Sequence, residues 1–346
     1  MRKYFYRASL AILPLIISCN GNKGENKPAL SKTDAAAEKQ FDDNQKQIDK
    51  LNHDYPKVPE DDKMLEHNGA TSPVYAEMKG RYKDYMAKLK QEIEGTGAKF
   101  VVVILRQPEG YGGDPKPLNS VYGTPYIIET CKQLGVECVD LSPKVNQQDP
   151  KKITQVPRDG HWNKKGGIYV ASLLAPIIEK YSGNKAKTTY KDSERPETFG
   201  DLPPHDDRIL DGGKDMPYHL QANAQGLRMA QDVVFPKTKQ HVLFMGGSQI
   251  YSPFLDNDFI ATSVLQKQFP DKVIMNTGII AATLDDYLTL WDDKAKYSEP
   301  DLVILQTNAG DITDLFFTNR NHLARAHKPY FPSPVEEKYY NNFLAK

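Results

Sequence analysis

The sequence predicts an α/β fold built on a parallel sheet. Residues 100–105 read FVVVIL, an apolar, β-branched run without polar alternation, which is typical of a strand buried on both faces. Segments with helical periodicity precede and follow this run, and the same succession of helix and strand returns after residue 240. Because buried strands that alternate with helices are joined by helical crossovers, the pattern indicates a parallel α/β layer.

The ordered part of the chain is predicted to begin near Tyr75 with a helix that ends at Gly95 and Gly97. One face of that helix carries Met78, Tyr82, Tyr85, Leu89 and Ile93. The elements predicted next are the strand 100–105, a Gly/Pro-rich loop over 106–120, a helix up to Leu134, a strand over Glu137–Leu141 and a helix from about Lys164 to Tyr181.

A polar, irregular segment then separates two α/β portions of the chain. Residues 183–238 are rich in Pro, Asp and Lys, and within them Gln221–Val234 is predicted to be locally helical. The elements predicted after this segment are strands over His241–Met245, Lys272–Met275 and Leu302–Gln306, with helices over about 253–268 and 283–291. Residues from 319 onward are predicted to form a loop and a short terminal helix.

Composition excludes several classes of protein. The 346 residues hold 45 Lys and Arg against 45 Asp and Glu, and this absence of net charge argues against a nucleic-acid partner. Three cysteines are too few for a disulfide framework or a Cys-rich zinc module. The sequence shows no zinc-like spacing of ligands and no glycine-rich nucleotide motif, so neither a metal ion nor another cofactor is predicted.

The first nineteen residues are typical of an export signal. Basic residues precede an apolar run over 10–17 that is shorter than the roughly 20 residues needed to span a bilayer. The run ends in Ile16-Ile17-Ser18-Cys19, which resembles a bacterial lipobox. We therefore expect a chain exported and lipid-anchored through Cys19 to the bacterial cell envelope, at the outer membrane, in the periplasm or at the cell surface. An ordinary secretory signal is the alternative.

Residues 20–74 are rich in Lys, Asp, Asn and Gln, and they are predicted to form a polar tether between the anchor and the folded part. Cys131 and Cys138 flank a predicted helix-to-strand turn in a compartment that favours oxidation. Two interpretations stay open for this pair: a short-loop disulfide, or two small buried apolar side chains.

Three segments place polar residues just beyond the carboxyl end of a predicted strand, the edge where open α/β sheets bind ligands. In VLFMGGSQ, Ser248 follows two glycines at a strand-to-helix turn, a geometry that can expose a nucleophilic hydroxyl. In VIMNTGIIAAT, Gly278 can offer its N–H to a developing oxyanion, or it can serve the turn alone. In DLVILQTNAGD, Asn308 can donate to an oxyanion or cap its turn.

A nucleophilic serine needs a base, and His161 is the sharpest candidate among the eight histidines. It lies two residues after Asp159, just before the helix predicted from Lys164. An aspartate at that spacing can accept from one imidazole nitrogen, which fixes the tautomer and leaves the other nitrogen for the serine. A surface ion pair is the alternative.

These segments resemble the four signature blocks of SGNH (GDSL-type) hydrolases and their polysaccharide O-acyltransferase relatives. The matching blocks are GGSQ at 246–249, NTG at 276–278, NAGD at 308–311 and DGHWNKKGGIYVA at 159–171. The resemblance implies a three-layer, flavodoxin-like α/β/α fold. It also implies Ser248 as nucleophile, His161 as base and Asp159 as its orienter. Gly278 and the Ser248 backbone N–H would form the oxyanion hole, with Asn308 as a further donor.

The sequence departs from the family pattern in three respects. Its Asp/His block precedes the serine block, so residues 75–182 look like the second half of such a domain and 240–346 like the first. A circular permutation bridged by the polar segment 183–239 would explain this order. Gly247 stands where the family carries Asp, and Asn308-Ala309-Gly310-Asp311 exchanges the Gly and Asn of the family's G-x-N-D.

The resemblance implies a serine esterase that removes acyl groups, above all acetyl, from carbohydrate or other cell-envelope esters. Two alternatives stay open. The same residues could pass the acyl group to a sugar hydroxyl, as an O-acetyltransferase does. A chain impaired at Gly247 and Gly310 could instead bind glycan without catalysis.

Overall fold

The fold is known from a computed structural model that describes residues 73–109, 118–210 and 215–315, together with the helical positions Lys46 and Lys50. The predicted leader 1–19 with Cys19 lies outside the described residues. So do the tether 20–74, apart from these two lysines and its last two residues, and the terminal segment from 316.

Helices and strands alternate as expected for an α/β fold. The helices are α1 Pro73–Gly95, α2 Leu118–Leu134, α3 Ser142–Val145, α4 Pro150–Ile153, α5 Lys164–Lys180, α6 Ser248–Tyr251, α7 Ala261–Gln268, α8 Leu284–Asp293 and α9 Gly310–Thr313. The strands are β1 Lys99–Ile104, β2 Glu137–Asp140, β3 Asp207–Leu210, β4 Tyr218–Gln221, β5 Gln240–Met245, β6 Lys272–Asn276 and β7 Leu302–Thr307. Short 3₁₀ turns cover Asp192–Glu194, Asn257–Phe259 and Ala295–Ser298.

Five strands form one parallel sheet in the order β2-β1-β7-β5-β6. Both α/β portions of the chain therefore contribute to the same sheet. If β5, β6 and β7 are numbered 1 to 3 and β1 and β2 are numbered 4 and 5, the order across the sheet is 2-1-3-4-5. This is the strand order of flavodoxin-like sheets.

Helices cover both faces of this sheet, which makes a three-layer α/β/α arrangement. Alternate residues of β1 point to opposite faces: Val102 packs in the cluster with α1, α2 and α8, whereas Val101 packs in the cluster with α5 and α7. Both residues are fully buried. Both faces of β1 are covered by helices, which accounts for the lack of polar residues in the run at 100–105. The predicted fold class is confirmed.

One predicted helix is wrong, and another is shorter than predicted. Residues 221–234 contain the end of β4 and a coil, because the Asn223 side chain accepts from the N–H groups of Gln225 and Leu227, both at 3.0 Å, and holds a turn. The helix predicted over 253–268 is regular only as α7, because residues 252–260 form an irregular loop with a 3₁₀ turn.

The polar segment 183–239 also packs closely on the α/β layers. It contributes the antiparallel hairpin of β3 and β4, and its Phe199, Leu220 and Leu227 side chains are buried. Within the described ranges, no helix has both the length and the apolar composition to cross a bilayer.

Candidate active site

Ser248 lies where β5 ends, at the first residue of α6, and its side chain is half-buried. The turn before it is tied to the neighbouring strands, because Gly247 N–H donates to Gln306 Oε1 at 3.1 Å. Gln306 Nε2 in turn donates to the Leu105 carbonyl at 2.9 Å. No hydrogen-bond partner of the Ser248 N–H is found among the described residues, so this donor can face a ligand.

Asn308 occupies the corresponding position on the adjoining strand. The last paired residues of β5 and β7 are Met245 and Leu305, and Ser248 and Asn308 each lie three residues further on. The strands therefore deliver both residues to the same edge of the sheet, as the sequence predicts.

Gly278 lies in the turn after β6 and packs against the last residue of α6, the short helix that begins at Ser248. A Cβ on Gly278 would come within 2.4 Å of the Tyr251 backbone nitrogen, so only glycine allows this close approach of the β6 turn to α6. The Gly278 N–H donates to Asn276 Oδ1 at 2.8 Å, and Asn276 Nδ2 donates to the Ile250 carbonyl at 3.0 Å. The N–H predicted to serve an oxyanion thus has a protein partner in this structure, and it would reach a ligand only by sharing or releasing that bond.

Asp159 and His161 form the oriented pair that the sequence predicts. Asp159 Oδ1 accepts from the His161 backbone N–H at 2.8 Å and also contacts Nδ1 of its ring. Because the ionised carboxylate can only accept, Nδ1 carries the proton and Nε2 is left as the acceptor. The His161 side chain is 23% exposed and that of Asp159 is 11% exposed, so the pair lies at a surface accessible to substrate.

Three contacts join the histidine segment to the serine segment. The Trp162 indole N–H donates to the Gln249 carbonyl at 3.2 Å, and Gln155 Nε2 donates to the Phe254 carbonyl at 3.2 Å. The His161 ring lies edge-on to the Phe254 ring with 6.0 Å between centroids.

The start of α5 also packs tightly on the loop that follows the serine helix. A Cβ on Gly167 would come within 2.0 Å of the Phe259 carbonyl oxygen, so the second glycine of the KKGG sequence permits the packing of the two segments. These contacts make the two segments neighbours, although no hydrogen bond between His161 and Ser248 occurs among the described residues.

Sequence reasoning missed the residue that shapes this loop. Arg228 is almost fully buried, and its guanidinium donates to the carbonyls of Tyr251, Ser252 and Leu255 and to Asn257 Oδ1. Burial lowers the pKa of this guanidinium. An isolated arginine in a polar segment gives no local signal, because its acceptors lie more than twenty residues further along the chain.

Asp311 is a second site residue to which sequence reasoning gave no role. Burial raises its pKa to about 7, while hydrogen bonds from Thr307 and Asn308 act in the opposite direction. Its Oδ1 accepts from Asn308 Nδ2 at 2.9 Å, so it contacts the predicted oxyanion donor directly.

Cys131 and Cys138 are free thiols in this structure, Cys131 buried and Cys138 half-buried. The two side chains hydrogen-bond to each other, which lowers the pKa of the Cys138 thiol and raises that of Cys131. Among the described residues, no group of three or more His, Cys, Asp or Glu is arranged to hold a metal ion.

No protein-family model and no curated protein matches the sequence. The structure is similar to solved structures at low identity. The O-acetyltransferase domain of Pseudomonas putida AlgJ has a TM-score of 0.43 and 13% identity over 81% of this chain and 95% of that one. Bacillus cereus PatB1 has a TM-score of 0.38 and 9% identity over 69% and 91%. A DHHW family protein from Eubacterium siraeum has a TM-score of 0.33 and 11% identity over 68% and 88%.

Proposed function

We propose that this chain is a serine acyl-transfer enzyme of the SGNH type, which takes acyl groups, above all acetyl, from carbohydrate esters through an acyl-enzyme. The observation that carries the proposal is the oriented Asp159–His161 pair beside the segment that presents Ser248. The pair supplies a base with a fixed tautomer, and the turn after β5 supplies a half-buried hydroxyl. Nucleophilic acyl transfer requires this combination.

In the proposed mechanism, Ser248 Oγ attacks the ester carbonyl while His161 Nε2 takes its proton. The negative charge on the former carbonyl oxygen meets the Ser248 N–H and the Asn308 side-chain amide, with the Gly278 N–H as a third donor if its bond to Asn276 opens. The tetrahedral intermediate collapses, His161 returns the proton to the leaving sugar oxygen, and the acyl group stays on Ser248. Substrate binding must also draw His161 into hydrogen-bond reach of Ser248, because catalytic hydrogen bonds are often long in the free enzyme.

The acceptor in the second half-reaction distinguishes two activities. Water gives an esterase, which is our main proposal, and a sugar hydroxyl gives an O-acetyltransferase. Ser248, His161 and Asp159 serve both reactions equally, since either acceptor loses its proton to His161 as it attacks the acyl-enzyme. Product analysis with p-nitrophenyl acetate as the acetyl donor and a deacetylated glycan as the acceptor separates them: free acetate indicates the esterase, and acetylated glycan indicates the transferase.

We propose further that the domain is a circular permutation of the family's usual order and that the chain is exported and lipid-anchored through Cys19. The strand order 2-1-3-4-5 counted from β5 supports the permutation. The basic and apolar leader that ends at Cys19 supports the export and the anchor.

A non-catalytic glycan-binding protein is the rival function, favoured by the engaged Gly278 N–H and by the missing hydrogen bond between His161 and Ser248. A fluorophosphonate probe, which reacts with activated serines, decides between the two. We expect labelling of the wild-type protein and of Ser172→Ala, an exposed serine on α5, but not of Ser248→Ala. A folded, monodisperse wild-type sample that stays unlabelled would refute the enzyme.

A further inference from the structure

The carboxylate of Asp311 accepts three hydrogen bonds from the end of β7 and the residue that follows it. Its Oδ2 accepts from Thr307 Oγ1 at 2.8 Å and from the Asn308 backbone N–H at 3.1 Å. Its Oδ1 accepts from Asn308 Nδ2 at 2.9 Å. Only 5% of Asp311 is exposed, so solvent does little to compete with these contacts.

The Asn308 side chain is held at both ends of its amide. Its Oδ1 accepts from the Gly310 N–H at 2.8 Å, while Nδ2 donates to Asp311. A backbone N–H can only donate and an ionised carboxylate can only accept, so with Asp311 ionised the two partners fix which end of the amide is oxygen and which is nitrogen. The second hydrogen on Nδ2 has no partner among the described residues, and Asn308 is half-buried at the edge of the sheet where Ser248 lies.

We propose that Asp311 is a positioning residue for Asn308: it holds one amide hydrogen so that the other points to the oxyanion formed at Ser248. This inference rests on the proposed acyl-transfer function and deepens it. It also explains how Asn308 can serve the oxyanion although Gly and Asn are exchanged relative to the G-x-N-D block. The exchange puts Asn308 directly after β7, and Asp311, one helical turn further on, reaches back to fix it.

Because the Gly278 N–H already has a hydrogen-bond partner, the oxyanion hole depends more on Asn308 and therefore on Asp311. Since the Gly278 N–H already donates to Asn276, the remaining donors are the Ser248 N–H and the Asn308 amide. A hole with few donors depends more strongly on the orientation of each. Asp311 does not touch substrate and acts through Asn308 alone.

A double-mutant cycle with a chromogenic acetyl ester, p-nitrophenyl acetate, tests this coupling. We expect Asn308→Ala to lower kcat by about 10²- to 10³-fold, the usual effect of losing one oxyanion donor. We expect Asp311→Asn to lower kcat by about 10-fold or more with KM little changed, because the interaction matters mainly in the transition state. The double variant should be no slower than Asn308→Ala, since Asp311 has nothing left to position.

The matched control is Asp314→Asn, which removes an exposed carboxylate three residues after Asp311 and should leave kcat at the wild-type value. Losses that multiply in the double variant would show that Asp311 acts independently of Asn308 and would overturn the proposal. A lowered Tm with unchanged kcat in Asp311→Asn would show a purely structural residue and would overturn it too. A folded wild-type protein without turnover or fluorophosphonate labelling refutes the proposed function itself, which is a different result.

A second variant keeps the test decisive if Asp311→Asn does not fold. Thr307→Val is isosteric and removes one donor to Asp311 Oδ2 while leaving the carboxylate in place. We expect a smaller loss of kcat that disappears in the Asn308→Ala background. A loss that persists in that background would contradict the coupling through Asn308.

Discussion

The indole N–H of Trp162 donates to the backbone carbonyl of Gln249 across 87 residues of sequence. Trp162 follows the predicted base His161, and Gln249 follows the predicted nucleophile Ser248. This hydrogen bond therefore sets the distance between two segments that the chain order keeps far apart. It is buried, so its geometry is protected from water.

Trp162→Phe tests this relationship. The change removes one of two buried donors to the Gln249 carbonyl, which keeps the hydrogen bond from Ser252 Oγ at 3.2 Å, and it opens a small cavity. We therefore expect a loss of about 1–2 kcal/mol in the free energy of unfolding. We also expect slower fluorophosphonate labelling of Ser248, because the hydrogen bond that joins the neighbours of His161 and Ser248 is lost. Urea unfolding and the labelling rate give the two readouts.

Trp291→Phe is the matched control for this variant. Trp291 is as fully buried as Trp162, but its indole N–H has no hydrogen-bond partner among the described residues. The substitution creates a similar cavity on α8 without loss of a hydrogen bond, so it should cost less stability and leave labelling unchanged. Equal effects of the two substitutions would show that the bond to Gln249 contributes nothing specific.

Asp159→Asn should reduce labelling of Ser248 by about 10²- to 10⁴-fold, because an amide facing Nδ1 favours the wrong tautomer of His161. The chain offers a second Asp–His pair as a control: His219 Nε2 lies 2.5 Å from Asp207 Oδ1 on the exposed hairpin. Asp207→Asn changes the same chemistry away from Ser248 and should leave the labelling rate at its wild-type value. Comparable losses in both variants would argue against the role of Asp159.

Local sequence features were sufficient to predict the α/β class and the polar residues at the strand ends. The FVVVIL run has no polar alternation and so predicts a strand buried on both faces, and helices do cover both faces of β1. Asp159 and His161 are two residues apart, so the contact between them is visible as a motif.

Features that depend on distant partners escaped prediction. Residues 221–234 have helical periodicity, but Asn223 folds them into a turn through contacts that periodicity does not register. Arg228 and Gln306 are unremarkable in sequence, and their importance follows only from the carbonyl and amide groups that the fold brings to them. The oxyanion role of Gly278 depends on whether its N–H is free, and the neighbouring Asn276 side chain decides that.

Arg228→Met should destabilise the protein by about 3 kcal/mol or more. The substitution leaves several buried carbonyls of the loop 251–255 without a donor. Ser252 and Phe254 in this loop have φ of 58° and 63°, a left-handed conformation that needs external support. Because Phe254 packs against the His161 ring, labelling of Ser248 should also slow under conditions where the variant is folded.

The control for this variant is Lys267→Met, which removes an exposed ammonium group on α7 that pairs with the exposed carboxylate of Asp258. Such exposed pairs contribute about 0–1 kcal/mol, so urea unfolding should change little. A loss below about 1 kcal/mol in Arg228→Met would mean that the loop keeps its conformation without the arginine.

Asp311 should make the stability of the protein depend on pH. Burial raises its pKa to about 7 in the folded state, whereas an aspartate in an unfolded chain has a pKa of about 3.9. Between these values the folded state binds more protons than the unfolded state, so the contribution of Asp311 to stability falls as pH rises through this window and levels off above about pH 7. Its slope is at most about 1.4 kcal/mol per pH unit.

Urea unfolding at about pH 4.5, 5.5, 6.5 and 8 checks this sign in the wild-type protein, Asp311→Asn and Asp314→Asn. The advantage of the wild type over Asp311→Asn should shrink as pH rises, whereas Asp314→Asn should follow the wild-type curve. Parallel curves for the wild type and Asp311→Asn would show that Asp311 has similar pKa values in the folded and unfolded states. The ionised carboxylate is also the form that accepts from Asn308, so the kcat of the wild type should rise relative to that of Asp311→Asn as pH passes through about 7, at the upper end of the interval in which stability falls.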